Sequence, residues 1–274
     1  MHGLATIAPH RSAVTAVSGR LIHATPQHLG ADVRSIALAN QKGGVGKTTT
    51  AIHLAHGLAL AGHRVVLFDL DPQGNATVAL QSAVGEPTNG AAPLHERLLP
   101  VGANFWLLPS PGLGSGEAAL DREDLRRLHD ELAPQVDWLI VDNPPRMDGQ
   151  GRIGVELSDE VVVPVQAEFL AMHGLSQMLG TLETIATQVP GKGRLRGILP
   201  TMVDAREPVA VEVLEDLRRN LTTRMLQSVI FRDASLVEAA SFGRTAFQHC
   251  PWSKGALCYA ELVQELTDGG STTR

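Results

Sequence analysis

The chain has 274 residues, of which 43% are apolar and 4% aromatic, and its formal net charge is −6. This length fits one large α/β domain, and the acidic balance argues against a surface coated uniformly for nucleic acid. Charge is uneven, because residues 190–254 hold ten Lys and Arg against seven Asp and Glu, a local net charge of +3. No apolar run approaches the about 20 residues of a membrane span, and the N-terminus lacks the apolar core of a signal peptide. The sequence therefore predicts a cytoplasmic protein with one basic region.

Residues 1–33 show no clear hydrophobic period and are predicted to form a flexible extension, followed by a single domain over residues 34–270. Predicted strands alternate with predicted helices in this domain. The strands are Ser35–Ala39, Val65–Asp69, Phe105–Leu108, Trp138–Val141, Glu160–Val163, Leu195–Leu199 and Ser228–Phe231. The helices are Thr48–Ala61, Glu117–Leu132, Ala167–Gln188, Pro208–Leu221 and Ser253–Leu266. Several strands are continuous apolar runs, which predicts a doubly wound, mostly parallel sheet flanked by helices, with ligands at the carboxyl ends of its strands.

The first predicted strand runs into the segment QKGGVGKTTT, residues 41–50. Glycines without a Cβ let backbone N–H groups converge on phosphate oxygens, and the helix that follows adds its N-terminal dipole. Lys47 is predicted to reach the β- and γ-phosphates and the Thr48 hydroxyl to ligate Mg²⁺. The other predicted phosphate contacts are Gly43, Gly44, Val45, Gly46 and Thr49. ATP and Mg²⁺ are therefore the predicted cofactors.

This segment departs from the general P-loop pattern. Gln41 stands where that pattern has its first glycine, and a second lysine, Lys42, comes five residues before Lys47. A tight turn that binds nothing is the alternative interpretation of a glycine-rich junction. The two lysines and the run of threonines disfavour it.

Carboxylates end two further strands. Asp69 and Asp71 lie in the segment VVLFDLDPQGN, and Asp142 ends the apolar strand WLIVD. Carboxylates beside a polyphosphate would repel it unless they handle a cation or the attacking water, so Asp69 and Asp142 are predicted to lie near Mg²⁺. Turn-forming or helix-capping aspartates are the alternative, and it suits Asp69 alone better than the whole set.

With these three motifs, the sequence resembles the ParA/Soj/MinD group of deviant Walker A ATPases, and within it the ParA/Soj partition proteins. KGGVGKTTT, DLDPQGNAT, VDNPP and the segment RDASLVEAASFG occur in the order typical of that family. The resemblance implies that Lys42 crosses a dimer interface to the partner's ATP and that Asp71 positions the hydrolytic water. It also implies that the nucleotide base lies near Met202 and Asp204.

The resemblance further implies that an ATP-bound homodimer binds double-stranded DNA non-specifically on the nucleoid and is released when a ParB-like partner stimulates hydrolysis. The candidate DNA-binding residues are Arg206, Arg218, Arg219, Arg224, Arg232 and Arg244. The local positive charge lies in this region, as binding to a phosphate backbone requires. Ser235 and Phe231 depart from the family, which often has Arg and Pro at these positions.

Two other functions fit the same motifs. One is a related ATPase that positions a protein cargo, and the other is a metabolic ATP-dependent enzyme of the same fold. His53 and His56 lie one helical turn apart, but no third metal ligand is evident, so polar helix positions are the preferred interpretation. Cys250 and Cys258 match no zinc pattern and are predicted to be reduced thiols. The acidic C-terminus lacks the basic amphipathic helix of a membrane-binding protein.

Overall fold

Seven strands in one sheet form the centre of the computed structural model, which describes residues 33–84, 97–110, 121–132, 134–168 and 171–268. The strands are β1 (Arg34–Leu38), β2 (Val65–Asp69), β3 (Leu99–Gly102), β4 (Phe105–Leu108), β5 (Trp138–Asp142), β6 (Glu160–Gln166) and β7 (Arg194–Thr201). The helices are α1 (Lys47–Leu60), α2 (Asn75–Val84), α3 (Arg122–Leu132), α4 (Gly149–Leu157), α5 (Ala171–Gln188), α6 (Pro208–Asn220), α7 (Ala234–Ser241), α8 (Ala246–His249) and α9 (Lys254–Asp268).

The strands are arranged in the order β3-β4-β2-β5-β1-β6-β7. All neighbours are parallel except β3, which pairs antiparallel with β4 at one edge. The predicted doubly wound, mostly parallel sheet is therefore confirmed. At the carboxyl edge of the sheet lie the turns that follow β1, β2, β5, β6 and β7. Residues that are distant in sequence therefore lie close together there.

Two apolar layers cover the sheet. On one face, alternate strand residues such as Ile36 and Leu67 pack with α1, α2 and the helices α7 to α9. On the other face, residues such as Ala37 and Val66 pack with α3, α4 and α5. Both faces of the central strands are buried, which explains their continuous apolar sequences.

Helix α9 packs along α1 in the same direction. Near their starts, the Thr50 and Tyr259 hydroxyls form a buried hydrogen bond of 3.1 Å. Further along, a Cβ at Gly57 would lie 2.6 Å from Cγ2 of Val263, so this glycine permits the close approach of the two helices. The helix that follows the glycine-rich loop is thus fixed to the last helix of the chain.

Most predicted elements agree with the structure within a few residues, but one strand is wrong. Residues Ser228–Phe231 form no strand and make only an isolated bridge, between Val203 and Phe231. Helix α5 begins at Ala171 rather than Ala167, because β6 extends to Gln166. The predicted extension over residues 1–32 lies outside the described residues, as do residues 117–120 of one predicted helix, so these remain predictions.

Cys250 is an exposed free thiol and Cys258 a buried one, as predicted. Within the described ranges, no helix combines the length and apolar character needed to cross a bilayer.

Candidate functional site

The glycine-rich loop, residues 41–46, connects β1 to α1. Gly44 and Gly46 have φ of +75° and +87°, a left-handed conformation that favours glycine. A Cβ added at Gly43 or Gly44 would meet no heavy atom within 4 Å, so the concave side of the loop is open. Gly46 caps the start of α1. Open backbone N–H groups beside a helix N-terminus form an anion-binding geometry.

Lys47 points back into this loop. It is only 8% exposed, and its Nζ donates a 3.3 Å hydrogen bond to the carbonyl of Lys42. Burial lowers the pKa of Lys47, while the nearby carboxylates of Asp142 and Asp71 act in the opposite direction. A phosphate in the loop would replace the carbonyl as partner of this ammonium group.

Lys42 points elsewhere. Its Nζ lies 2.7 Å from Oε2 of Glu168, in the loop after β6, and both side chains are about half exposed. Its backbone N–H donates to Oδ1 of Asn40 at 3.0 Å, and Nδ2 of Asn40 donates to the carbonyl of Pro164 at 2.7 Å. Asn40 thus ties the start of the loop to β6.

Asp69 and Asp142 lie side by side, because β2 and β5 pair with these residues in register. Both are completely buried. Burial and the neighbouring Asp69 raise the pKa of Asp142 to about 8, against the effect of the nearby Thr48 hydroxyl and Lys47. Burial raises the pKa of Asp69 to about 6, although Thr77 donates to its Oδ2 from both its backbone N–H, at 2.8 Å, and its hydroxyl, at 2.7 Å.

Three buried carboxylate oxygens at this point have no hydrogen-bond partner among the described residues, namely Oδ1 of Asp69 and both oxygens of Asp142. Buried carboxylate oxygens without hydrogen-bond partners are costly to charge, and a divalent cation would offset that cost. Oxygen donors of this kind, with the Thr48 hydroxyl, fit Mg²⁺, which completes its shell with water and phosphate oxygens. No cluster of three His, Cys, Asp or Glu with metal-site geometry occurs in the described part of the chain.

Asp71 follows β2 at the same edge. It is 6% exposed, and its Oδ1 accepts a 3.0 Å hydrogen bond from the backbone N–H of Gln73. Its charge acts on Lys47, Asp69 and Asp142, so it belongs to the same electrostatic cluster. The structure therefore brings together the three predicted carboxylates and the loop lysine.

Met202 packs against the same loop. It has a positive φ of 53°, and its Cε would lie 3.6 Å from a Cβ at Gly46. The Thr201 hydroxyl donates a 2.8 Å hydrogen bond to the carbonyl of Val45. Asp204 is already engaged, since Arg206 donates to its two oxygens at 2.9 and 2.6 Å. A base contact by Asp204 would therefore require this ion pair to rearrange.

A cleft of about 640 Å³ opens between residues 203–206 and the starts of α7 and α9. Its lining has three cations and three carboxylates: Arg206, Arg232, Lys254, Asp204, Asp233 and Glu238. Asp233 holds the two helix starts together, because Oδ1 accepts from the backbone N–H of Ser235 at 2.9 Å and Oδ2 from that of Gly255 at 2.6 Å.

The six candidate DNA-binding arginines do not form one group. Arg206 and Arg232 line the cleft. Arg218 and Arg219 lie in the last turn of α6, about 15–17 Å from its first residue at 1.5 Å per residue. Three of the six form ion pairs within the described chain: Arg206 with Asp204, Arg219 with Glu215 and Asp216, and Arg224 with Glu183. The described chain offers no such partner to Arg218, Arg232 or Arg244, whose charges are therefore the more available.

Sequence reasoning missed several residues of this site. Glu168, Thr77 and Thr201 contact site residues through side chains, and no local pattern identifies them. Asn40 had a usable signal, because it is a polar residue between a buried strand and the glycine-rich loop. His53 and His56 were interpreted as polar helix positions, which is wrong, because both are buried and hydrogen-bonded.

An open glycine-rich loop after the central parallel strand β1, with carboxylates ending the next two strands on one side, β5 and β2, defines a P-loop nucleotide-binding protein. Residues 36–246 match the family model of the CobQ/CobB/MinD/ParA nucleotide binding domain, and the chain belongs to this family. It is 43% identical over 249 residues to the chromosome-partitioning ATPase Soj of Thermus thermophilus, covering 87% of this chain and 97% of that one. The chain is thus a partition ATPase of the ParA/Soj type.

Two further comparisons agree with this assignment. The sporulation initiation inhibitor protein Soj of Bacillus subtilis is 34% identical over 249 residues, which is 86% of this chain and 98% of that protein. A solved structure described as cobyrinic acid a,c-diamide synthase from Mycobacterium smegmatis, with bound ATP analog and magnesium, is 30% identical. It superimposes with a TM-score of 0.69 over 88% of this chain and 97% of that one.

Proposed function

We propose that this ATPase is a DNA-partition switch. ATP and Mg²⁺ join two copies of the chain, and the homodimer binds double-stranded DNA on the nucleoid without sequence preference. A ParB-like partner then stimulates hydrolysis, and the separated subunits leave the DNA. The relatives named as partition ATPases support this proposal, as does the solved relative described with an ATP analog and magnesium.

In this proposal, the loop from Gly43 to Gly46, with Lys47, Thr48 and Thr49, holds the phosphates. Thr48, Asp69 and Asp142 hold Mg²⁺, directly or through water, and Met202 and Asp204 lie beside the base. The open concave side of the loop and the unpartnered carboxylate oxygens support these roles. The cation, when bound, would withdraw charge from the phosphates during hydrolysis.

The observation that carries the dimer switch is the position of Lys42. Its ammonium group is half exposed and bound to Glu168, whereas Lys47 is buried in the loop. Lys42 is therefore accessible to a second copy. A lysine supplied by the partner stabilises developing phosphate charge only in the assembled dimer, which couples hydrolysis to assembly.

Asp71 is the proposed positioning group for the attacking water. It lies at the end of β2, close enough to act electrostatically on Lys47 and Asp142. Its Oδ1 bonds only to a turn N–H, which fixes the carboxylate without neutralising it.

We propose that the arginines without ion pairs contribute most to DNA binding. Arg232, Arg218 and Arg244 need no ion pair to be broken, whereas Arg206, Arg219 and Arg224 must exchange a carboxylate for a phosphate. Arginines of the second group therefore contribute less net free energy to DNA binding.

Co-sedimentation with duplex DNA in ATP, ADP and a non-hydrolysable analogue tests the proposal. We expect retention with ATP and the analogue only, and its loss in Lys42→Ala. Lys192→Ala is the matched control, since Lys192 is also a lysine in a surface ion pair, with Asp159 at 2.6 Å. DNA binding that is indifferent to the nucleotide would contradict the switch.

Asp71→Ala tests the catalytic assignment. We expect the variant to bind ATP and remain dimeric, with hydrolysis slowed about 100-fold or more, as for loss of a positioned proton acceptor. Hydrolysis at the wild-type rate would show that the residue is misassigned.

The likeness to a structure described as a diamide synthase identifies the competing function, an ATP-dependent ligase. A ligase would turn over ATP only with a small carboxylate substrate. ATP turnover stimulated by DNA and a ParB-like protein, and by no small substrate, would support the partition function.

A further inference from the structure

Two aromatic side chains stand out on the surface formed by α7, α8 and the start of α9. Phe242 is 61% exposed and Trp252 is 57% exposed. The other Phe, Trp and Tyr side chains in the described ranges are buried or half-buried. Phe242 stacks on His249, with ring centroids 5.0 Å apart and planes 19° apart, so one ring face is supported while the rest remains open.

Each exposed aromatic residue lies two positions before a cation. Phe242 precedes Arg244, and Trp252 precedes Lys254. Neither cation forms a salt bridge with any carboxylate of the described chain. Lys254 instead lies 3.5 Å from the ring centroid of Phe231, at the edge of the cleft that also contains Arg232. The surface therefore carries two aromatic rings and two cations, while Asp233 and Glu238 line the adjoining cleft.

We propose that Phe242 and Trp252 form a base-stacking surface for unpaired DNA. In this arrangement the aromatic rings stack on bases, and Arg244 and Lys254 bind the adjacent phosphates. Such a combination binds single strands with little sequence preference, because every base has a π-face. The inference rests on the DNA binding proposed above and extends it from the phosphate backbone to the bases.

Charge favours DNA over a protein partner at this surface. Aromatic residues and arginine are enriched in protein interfaces, but lysine is depleted there, and Lys254 accompanies Trp252 on this surface. Backbone binding alone would need only the cations, so it leaves the exposed aromatic rings without a role.

Binding of a 20-nucleotide oligo-dT and of an abasic oligonucleotide of equal length and charge separates stacking from charge. We expect wild type with ATP to bind oligo-dT about 5- to 100-fold more tightly than the abasic strand. The double variant Phe242→Ala/Trp252→Ala should lose this preference while keeping its affinity for the abasic strand. Val209→Ala, an exposed apolar truncation on α6, is the matched control and should change nothing.

Intrinsic fluorescence gives a second readout. Trp138 is buried and Trp106 half-buried, so quenching by oligo-dT should come from Trp252 and disappear in Trp252→Ala. Equal wild-type affinity for the two oligonucleotides would overturn the proposal. So would a loss of ATP-dependent dimerisation without DNA in the double variant, since the surface would then be an interface between copies. Duplex retention, measured in parallel, tests the partition function separately.

Discussion

Lys42 is held within its own chain at two points. Its backbone bonds to Asn40 and its ammonium group to Glu168. The second bond must break before the side chain can reach a nucleotide in another copy. Since both side chains are about half exposed, the pair is weak, of the order of 0.2–1 kcal/mol. This weak ion pair opposes assembly of the proposed dimer only slightly.

Glu168→Gln should therefore tighten the ATP-dependent dimer by about 1.5- to 5-fold, because Lys42 no longer exchanges an ionic partner. Sedimentation across a concentration series measures this change. Glu183→Gln is the control, since it removes a surface pair with Arg224 elsewhere. A weaker dimer in Glu168→Gln would mean that the carboxylate helps to place Lys42 in the assembly.

Sequence reasoning can predict which site residues lie close together where they are contiguous or end neighbouring strands. Lys47 and Thr48 follow the glycines directly, and Asp69 and Asp142 end apolar strands, so their proximity follows from strand order. Glu168 could not be predicted in the same way. It contacts Lys42 across 126 residues, through a side chain that no local pattern marks.

Helix α4 lies so close to the end of β5 that it requires glycine at position 154. A Cβ at Gly154 would lie 2.1 Å from Oδ1 of Asn143 and 2.6 Å from Cδ2 of Leu70. Both neighbours are buried, so neither side chain can move into solvent. Gly180, on α5, has no heavy atom within 4 Å of its added Cβ.

Alanine at these two helical glycines should have opposite effects. Gly154→Ala should lower the free energy of unfolding by about 1–3 kcal/mol through overpacking. Gly180→Ala should raise it by about 0.5–1 kcal/mol, because alanine favours the helix. Urea unfolding of both variants measures the difference. Equal changes in the free energy of unfolding would show that α4 has room for a Cβ at position 154.

Two of the elements that sequence reasoning missed, α4 and β3, have weak local signals. Helix α4 contains three glycines in nine residues, a composition that disfavours a helix until packing compensates. Strand β3 contains Pro100 and lies at the sheet edge, where proline is tolerated. Residues Ser228–Phe231 had a strand-like sequence, yet they bond to the end of β7 and the loop after it at isolated points rather than along a ladder.

For the molecule as a whole, a buried polar group joins α1 to the C-terminal helices. His53 bonds to the carbonyl of Thr49 and accepts from the N–H of Ala246, and it stacks on Tyr259. His56 bonds to the Thr245 hydroxyl at 2.7 Å. Burial lowers the pKa of each histidine to about 4, with the charge of His53 contributing at His56.

Both histidines therefore fold in the neutral form. The unfolded chain takes up protons below about pH 6.5, whereas the folded chain does so only near pH 4, so the stability they contribute falls as pH drops through this window. Asp69 and Asp142, whose pKa values are raised, act in the opposite sense, and Tyr259, whose pKa is raised by burial, stays neutral. The pH dependence of the wild-type free energy of unfolding therefore combines these opposing effects.

Comparing wild type with a His53 variant isolates the contribution of this histidine to the pH dependence of stability. The free energy of unfolding of wild type minus that of His53→Asn should decrease by about 1 kcal/mol between pH 6 and pH 5. Above pH 7 the difference should be flat, which serves as the internal control. A pH-independent difference would mean that the pKa of His53 is the same in the folded and unfolded protein.

Asp233 limits how this protein can evolve. A cation at this position would make the cleft more basic, but it would remove the acceptor for the starts of both α7 and α9, at about 1 kcal/mol for each lost cap. Selection for tighter binding in the proposed DNA complex would therefore have open positions at the exposed Ala234 and Glu238, whereas Asp233 is constrained by the architecture.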